Sequence, residues 1–168
     1  MNLERICVHE AGHFYVAYMY RRARAISVCI SRAAGTDVQT GKGYVSAGHV
    51  VTFEPDYSLP KVQVSIRAAG LAAESLIYGE LYEDLMNDPH VQRKIKTDTD
   101  NAKSDLEKAG LRPSTEDEFI RFFWRIGFYE ALSMMRDSVD TLRSIAGYCL
   151  ANQGREIPKA EIVAACHL

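Results

Sequence analysis

The five residues His9-Glu10-Ala11-Gly12-His13 constrain this chain more tightly than any other segment, because their side chains cooperate only on a helix. Residues four apart lie on one helical face with their Cβ atoms close together. His9 and His13 can then offer two imidazole nitrogens to one metal ion. The surroundings favour that helix. From Leu3 to about Arg24 there is no proline and a single glycine, and Arg21, Arg22 and Arg24 supply the cations that suit a helix C-terminus. Zinc takes histidine nitrogens at roughly 2.0–2.1 Å, and its catalytic sites add a third protein ligand and a water. Glu10, beside His9, is placed to take a proton as such a water attacks a carbonyl and to pass it to the leaving amine. The metal's part is to acidify the water and polarise the carbonyl. Gly12 weakens the helix by about 1 kcal/mol relative to alanine. Its presence between the histidines predicts a close approach there, with room left near the metal.

The third corner of such a site is open at this point. An extended pattern with a glycine three residues after His13 and a histidine six after it is excluded, because Val16 and Met19 stand there. Downstream candidates are Glu74, Asp84, Asp88, His90, Asp98 and Asp100, with His49 on a β-prone run. His49 and His90 read better as isolated surface or hydrogen-bonded histidines than as ligands, and His167 as part of a disordered terminus.

Length and charge set the frame. A chain of 168 residues suits one domain, 1–168, able to bury roughly 70% of its unfolded surface. Twenty basic against 22 acidic residues leave a formal charge of −2, which lacks the footprint of a nucleic-acid binder. No run of 18 apolar residues occurs, so no membrane segment is expected. The first residues lack a basic region followed by an apolar core, so the expected location is cytoplasmic. Cys7, Cys29, Cys149 and Cys166 form no CxxC pair, which argues for reduced, mostly buried thiols rather than a zinc ribbon or a disulfide scaffold.

After the first helix, two β-prone runs, 25–32 and 44–55, read as a long hairpin or strands of a small sheet. Pro60 and Gly79 bracket a second helix, and its Ala68-Ala69-Gly70-Leu71-Ala72-Ala73 stretch predicts close packing. Asp88 before Pro89 predicts a helix start, Thr97 with Asp100 a capping box, and Gly110 a stop. Beyond Pro113, residues 116–154 read as one kinked helix or two, with Phe119, Phe122, Phe123 and Ile126 as a core-facing stripe. Pro158 opens a short last helix. The fold class is mainly α with a small β-hairpin or sheet, α+β.

HEAGHFYVAYM, followed by the β-prone ISVCISR and GKGYV, resembles the peptidase domain of FtsH-type proteases, the AAA zinc metalloproteases. Two further landmarks follow in order. AGLAAESLIYG, residues 69–79, is similar to that family's Gly-Gly-x-x-Ala-Glu helix, with Ala69 in place of the first glycine. TDTDNAKSDL is similar to its Asp-x-x-x-Ala motif, at Asp98 and Ala102. The segment 142–162 also resembles the family's C-terminal helices. The resemblance implies a zincin-like fold around an HExxH active-site helix, with His9, His13 and Asp98 as zinc ligands and Glu10 as general base. It implies that Glu74 holds a ligand histidine by its other nitrogen. The stretch between Gly79 and Asp98 is longer than in the family, which keeps Asp88 as an alternative ligand, and Glu74 as a direct one. No GxxxxGK[ST] pattern occurs. The implied protein is therefore a stand-alone zinc metalloendopeptidase, ATP-independent by itself, hydrolysing unfolded or short peptides alone, as a homo-oligomer or with a separate unfoldase. The alternative is a catalytically inactive peptidase-like binding or regulatory module, which would have no need of Glu10.

Overall fold

A helix without a polar face belongs inside a protein rather than on its surface. The computed structural model, which describes residues 3–20, 25–36, 43–53 and 57–168 (31–36 and 43–53 by backbone alone), places such a helix at its centre. Helix α1 (Leu3–Tyr20) is buried at every residue from Ile6 to Tyr18. The basic cluster Arg21, Arg22 and Arg24 lies outside the described residues. The chain then forms strands β1 (Ala25–Thr36) and β2 (Gly43–Phe53), an antiparallel hairpin that runs from Ala25 opposite Phe53 to Thr36 opposite Gly43. A third strand, β3 (Glu156–Pro158), returns from the end of the chain to pair antiparallel with β1, giving the order β2-β1-β3. Three residues were too few to register as a strand in the sequence. Val28 and Ile30 of β1 and Ile157 of β3 join the core.

Helix α2 (Pro60–Tyr78) packs on α1, and its limits are those its sequence predicts, with Pro60 in the first turn and Gly79 closing it at φ 71°. The crossing is as tight as the Ala-Gly stretch suggested. A Cβ on Gly12 would lie 2.4 Å from the carbonyl oxygen of Ala69 and 2.6 Å from the Cβ of Ala73. What approaches Gly12 is thus the backbone of α2 and not the metal position, which corrects the sequence reading of that residue.

Short helices follow: α3 (Tyr82–Asn87), α4 (Pro89–Lys94) and α5 (Lys96–Lys108). Asp88 caps α4, accepting from the amide of His90 at 2.7 Å. The capping box expected at Thr97 and Asp100 does not form, because Thr97 already lies inside α5 and Ile95 occupies the cap position. Beyond them, α6 (Glu116–Phe119), a π turn (Ile120–Trp124) and α7 (Arg125–Met135) make one rod, and α8 (Val139–Ala151) and α9 (Lys159–Cys166) complete the shell. The π turn fits one extra residue into the helix. The buried stripe therefore runs Phe119, Trp124, Phe128, Ala131, Met135, with a step of five where a helix would take three or four. Phe122 (63% exposed) and Ile126 (44%) turn outward, against the expectation that they face the core. His167, expected to be disordered, ends α9 in a left-handed conformation at φ 55°.

Among the described residues no helix is long and apolar enough to cross a membrane. The four cysteines are free thiols, and burial pushes Cys7 up to about 11 and Cys149 up to about 12.

The α1–α2 contact gives a direct test. Gly12→Ala removes a helix-weakening glycine, yet it forces two backbones apart. It is expected to lower stability by about 1–3 kcal/mol, read as a reduced urea midpoint.

Candidate metal centre

Polar side chains on a helix buried all round must find partners inside the protein. Helix α1 buries His9 (1% exposed), Glu10 (2%) and His13 (5%) together. Helix α2 runs alongside and answers both histidines through residues eight apart. His13 Nδ1–H donates to the carbonyl of Ile66 at 2.7 Å, and His9 Nδ1–H donates to Oε1 of Glu74, also at 2.7 Å. A carbonyl can only accept, so the proton of neutral His13 sits on Nδ1 and its Nε2 carries a lone pair. Between Ile66 and Glu74 stands Gly70, and the two Nε2 atoms face it. A Cβ there would lie 2.5 Å from His9 Nε2 and 2.6 Å from His13 Nε2. Glycine keeps that space clear.

The third corner comes from α5. Asp98 Oδ2 lies 3.1 Å from His9 Nε2 and 3.6 Å from His13 Nε2, and the two nitrogens are 3.1 Å apart. An ion about 2.0–2.1 Å from each of three tetrahedrally disposed donors separates them by roughly 3.3–3.4 Å. The triangle of Nε2, Nε2 and Oδ2 has that size, and two neutral nitrogens with one carboxylate form a donor set suited to zinc. Glu10 brings a donor atom within 4.8 Å of those of His9 and His13, a looser grouping than the one Asp98 completes. Between Asp98 and Glu10, Asp98 is the better third donor by distance, and Glu10 stands beside the group.

The remaining candidates are elsewhere. Asp88 is engaged as the cap of α4, and Asp84 lines a cavity of about 680 Å³ beside it. That cavity reaches Glu74, Arg5 and Lys94, on the Nδ1 side of His9, and so lies behind the nitrogens rather than in front of them. Asp100 pairs with Lys96 on the surface, and His90 accepts from Arg93 at 2.8 Å. His49 lies opposite Ile30 in the hairpin, with its side chain outside the described residues.

Glu74 is the most heavily partnered carboxylate of the group. Besides His9 it accepts from Nε of Arg5 and Nζ of Lys94. Arg5 also donates from Nη1 to Glu80 at 3.0 Å and stacks its guanidinium over Tyr78. Sequence reading gave no role in the site to Arg5, Ile66, Gly70 or Lys94, and took the charge run around Lys94 for a solvated face, whereas the Lys94 side chain is only 10% exposed. A signal for two of them was present: Gly70 lies four residues before Glu74, and Lys94 four residues before Asp98.

Without a metal these groups hold one another's charges. Burial opposes charging His9, but its hydrogen bonds to Asp98 and Glu74, and the negative charges of Asp98 and Glu10, outweigh that and raise its pKa to about 9. Burial likewise opposes ionising Glu74, and the hydrogen bond and charge of His9 followed by Lys94 overcome it, bringing Glu74 down to about 2. Asp98 is held well below the carboxylate range against its own burial, by His13 first and then His9.

No protein-family model matches the chain, and no curated protein matches it at a significant level.

The signs of these shifts predict the stability of metal-free protein. His9 contributes in full below its ordinary value of 6.5 and loses that contribution as pH rises through about 9. Glu74 contributes above its ordinary 4.5 and loses it as pH falls towards 2. After treatment with a chelator, the melting temperature is expected to be highest between these limits, at pH 4.5–6.5, and to fall on both sides.

Proposed function

We propose that the protein is a zinc-dependent metallopeptidase, with His9, His13 and Asp98 holding the ion and Glu10 serving as general base. The observation that carries this reading is the convergence of His9 Nε2, His13 Nε2 and Asp98 Oδ2 at 3.1–3.6 Å from one another over a glycine. When bound, zinc would acidify a water and polarise the carbonyl of a peptide bond.

The protein's own groups divide the remaining work. Ile66 and Glu74 take the Nδ1 protons of the two histidines and so keep both Nε2 lone pairs turned inward. Asp98 adds the negative charge that favours a dication over a proton. Glu10, buried next to His9, accepts the proton released as the peptide carbonyl is attacked and returns it to the departing amine. Its burial limits competition from bulk water for that proton. The sheet order leaves β2 at an edge, and an extended peptide could add to such an edge by backbone hydrogen bonds with little side-chain preference. Unfolded or short peptides are the substrate class this suits. The zincin-like, FtsH-peptidase-like architecture, action without ATP, and a cytoplasmic setting belong to the same proposal.

Two measurements test it. Protein purified without added metal is expected to carry about one zinc per chain. Asp98→Ala and Gly70→Ala should lose most of it and Asp88→Ala should keep it. Hydrolysis of an unfolded casein-like substrate is expected to fall by roughly 10²–10⁴-fold in Glu10→Gln with zinc retained. Undiminished cleavage by that variant would remove Glu10 from the mechanism. A parent that binds zinc and cleaves nothing would favour the binding-module alternative.

A further inference from the structure

Three side chains converge on Glu74. One buried carboxylate, 1% exposed, accepts from two cations, Arg5 and Lys94, as well as from His9. Burying an ammonium is costly unless it is paired, and the side chain of Lys94 is only 10% exposed. Arg5, from α1, divides its charge between Glu74 and Glu80, and Lys94 is the second cation on Glu74. Lys94 reaches the same oxygen, Oε1, that accepts the Nδ1 proton of His9. The two donors therefore draw on the electron density of one atom.

This bears on the metal through His9. A carboxylate that accepts a histidine's Nδ1–H makes the ring a stronger donor at Nε2. A cation on the accepting oxygen opposes that, and its charge also repels a dication across the ring. We infer that Lys94, acting through Glu74, attenuates the hold of His9 on the bound metal, so that the ion stays electron-poor. Lys94 is in this sense a positioning and tuning residue, which touches neither metal nor substrate. The inference rests on the metal-site reading given above, and it deepens that reading by assigning the segment between Gly79 and Asp98 a role in it.

A merely structural role predicts the opposite sign. Lys94 ends α4, a helix with no buried residue of its own, and Asp98 follows four residues later. Were Lys94 only a strap holding α4 and α5 in place, its removal would loosen Asp98 and weaken metal binding. As an attenuator, its removal strengthens binding. The cavity of about 680 Å³ beside Lys94 leaves space for replacements of similar length.

The experiment measures Co²⁺ affinity by competition with a chelator, at one fixed pH, and records the visible d–d spectrum. Lys94→Met is expected to bind Co²⁺ roughly tenfold more tightly than the parent, with shifted d–d bands. Lys94→Arg, which keeps the charge, should match the parent. Lys96→Met removes an equal charge from an exposed neighbour paired with Asp100 and should also match it. Circular dichroism confirms folding. If Lys94→Met does not fold, Lys94→Gln carries the test with the same expected direction. Equal or weaker binding in the folded neutral variant overturns the inference, as does equal tightening in Lys96→Met. A parent that binds no Co²⁺ refutes the metal-site reading itself, whereas an unmoved Lys94 variant of a metal-binding parent refutes this inference alone.

Discussion

The backbone contact between α1 and α2 is the constraint on which the rest of the structure depends. Gly12 admits the Ala69 carbonyl and the Ala73 methyl at distances no side chain would allow. That closeness puts three residues of α2 at four-residue intervals, Ile66, Gly70 and Glu74, against two residues of α1 at the same interval, His9 and His13. The histidines stand one turn apart on α1 and their partners two turns apart on α2, with Gly70 midway between those partners facing both rings. A larger residue at position 12 would separate the helices and withdraw both partners at once. The helix-weakening glycine is kept because the packing gain and the polar pairing are joint products of the same approach.

Burial then dictates the electrostatics. Helix α1 has no solvent face from Ile6 to Tyr18, so its two histidines and Glu10 cannot rely on water. Charges have to be balanced locally, and the balance is built in layers. Glu74 faces His9 on one side, Arg5 and Lys94 face Glu74, and Glu80 faces Arg5 in turn. Among His9, His13 and Asp98, Asp98 is the most open at 18% exposed and brings the Nε2 side towards solvent. A cation arriving among His9, His13 and Asp98 would displace the Nε2 proton that ties protonated His9 to Asp98, leaving the Nδ1 proton on its bond to Glu74. The same arrangement can therefore be stable in both conditions, with a proton or a dication supplying the positive charge.

Much of this was legible in the sequence, and the reasons differ by residue. Helix starts and stops at Pro60, Gly79, Asp88 and Gly110 rest on local backbone chemistry, and local chemistry is what a sequence records directly. His9, Glu10 and His13 declared themselves by spacing on one helix. Asp98 and Glu74 came from resemblance, and the structure brings both onto His9, from opposite sides of its ring. What could not be read depends on three-dimensional phase. Strand β3 exists because β1 offers it an edge. Phe122 and Ile126 face outward because one π turn advances the register, and nothing in the apolar spacing announces a turn of that kind. Gly12 was recognised as a site of close approach, but which neighbour approached was a tertiary fact.

The two glycines illustrate how identical sequence signals separate into different physics. Gly12 meets backbone, which cannot yield, so its role is packing. Gly70 meets the ends of two imidazole rings, which can swing aside on their own side-chain torsions. An added methyl at Gly70 would therefore disturb the convergence of donor atoms more than the helix pair that carries them. The first glycine sets the distance between the helices and the second keeps the resulting space free. Only with both in place does a motif of two histidines and a glutamate on one helix gain a third donor at matching distance.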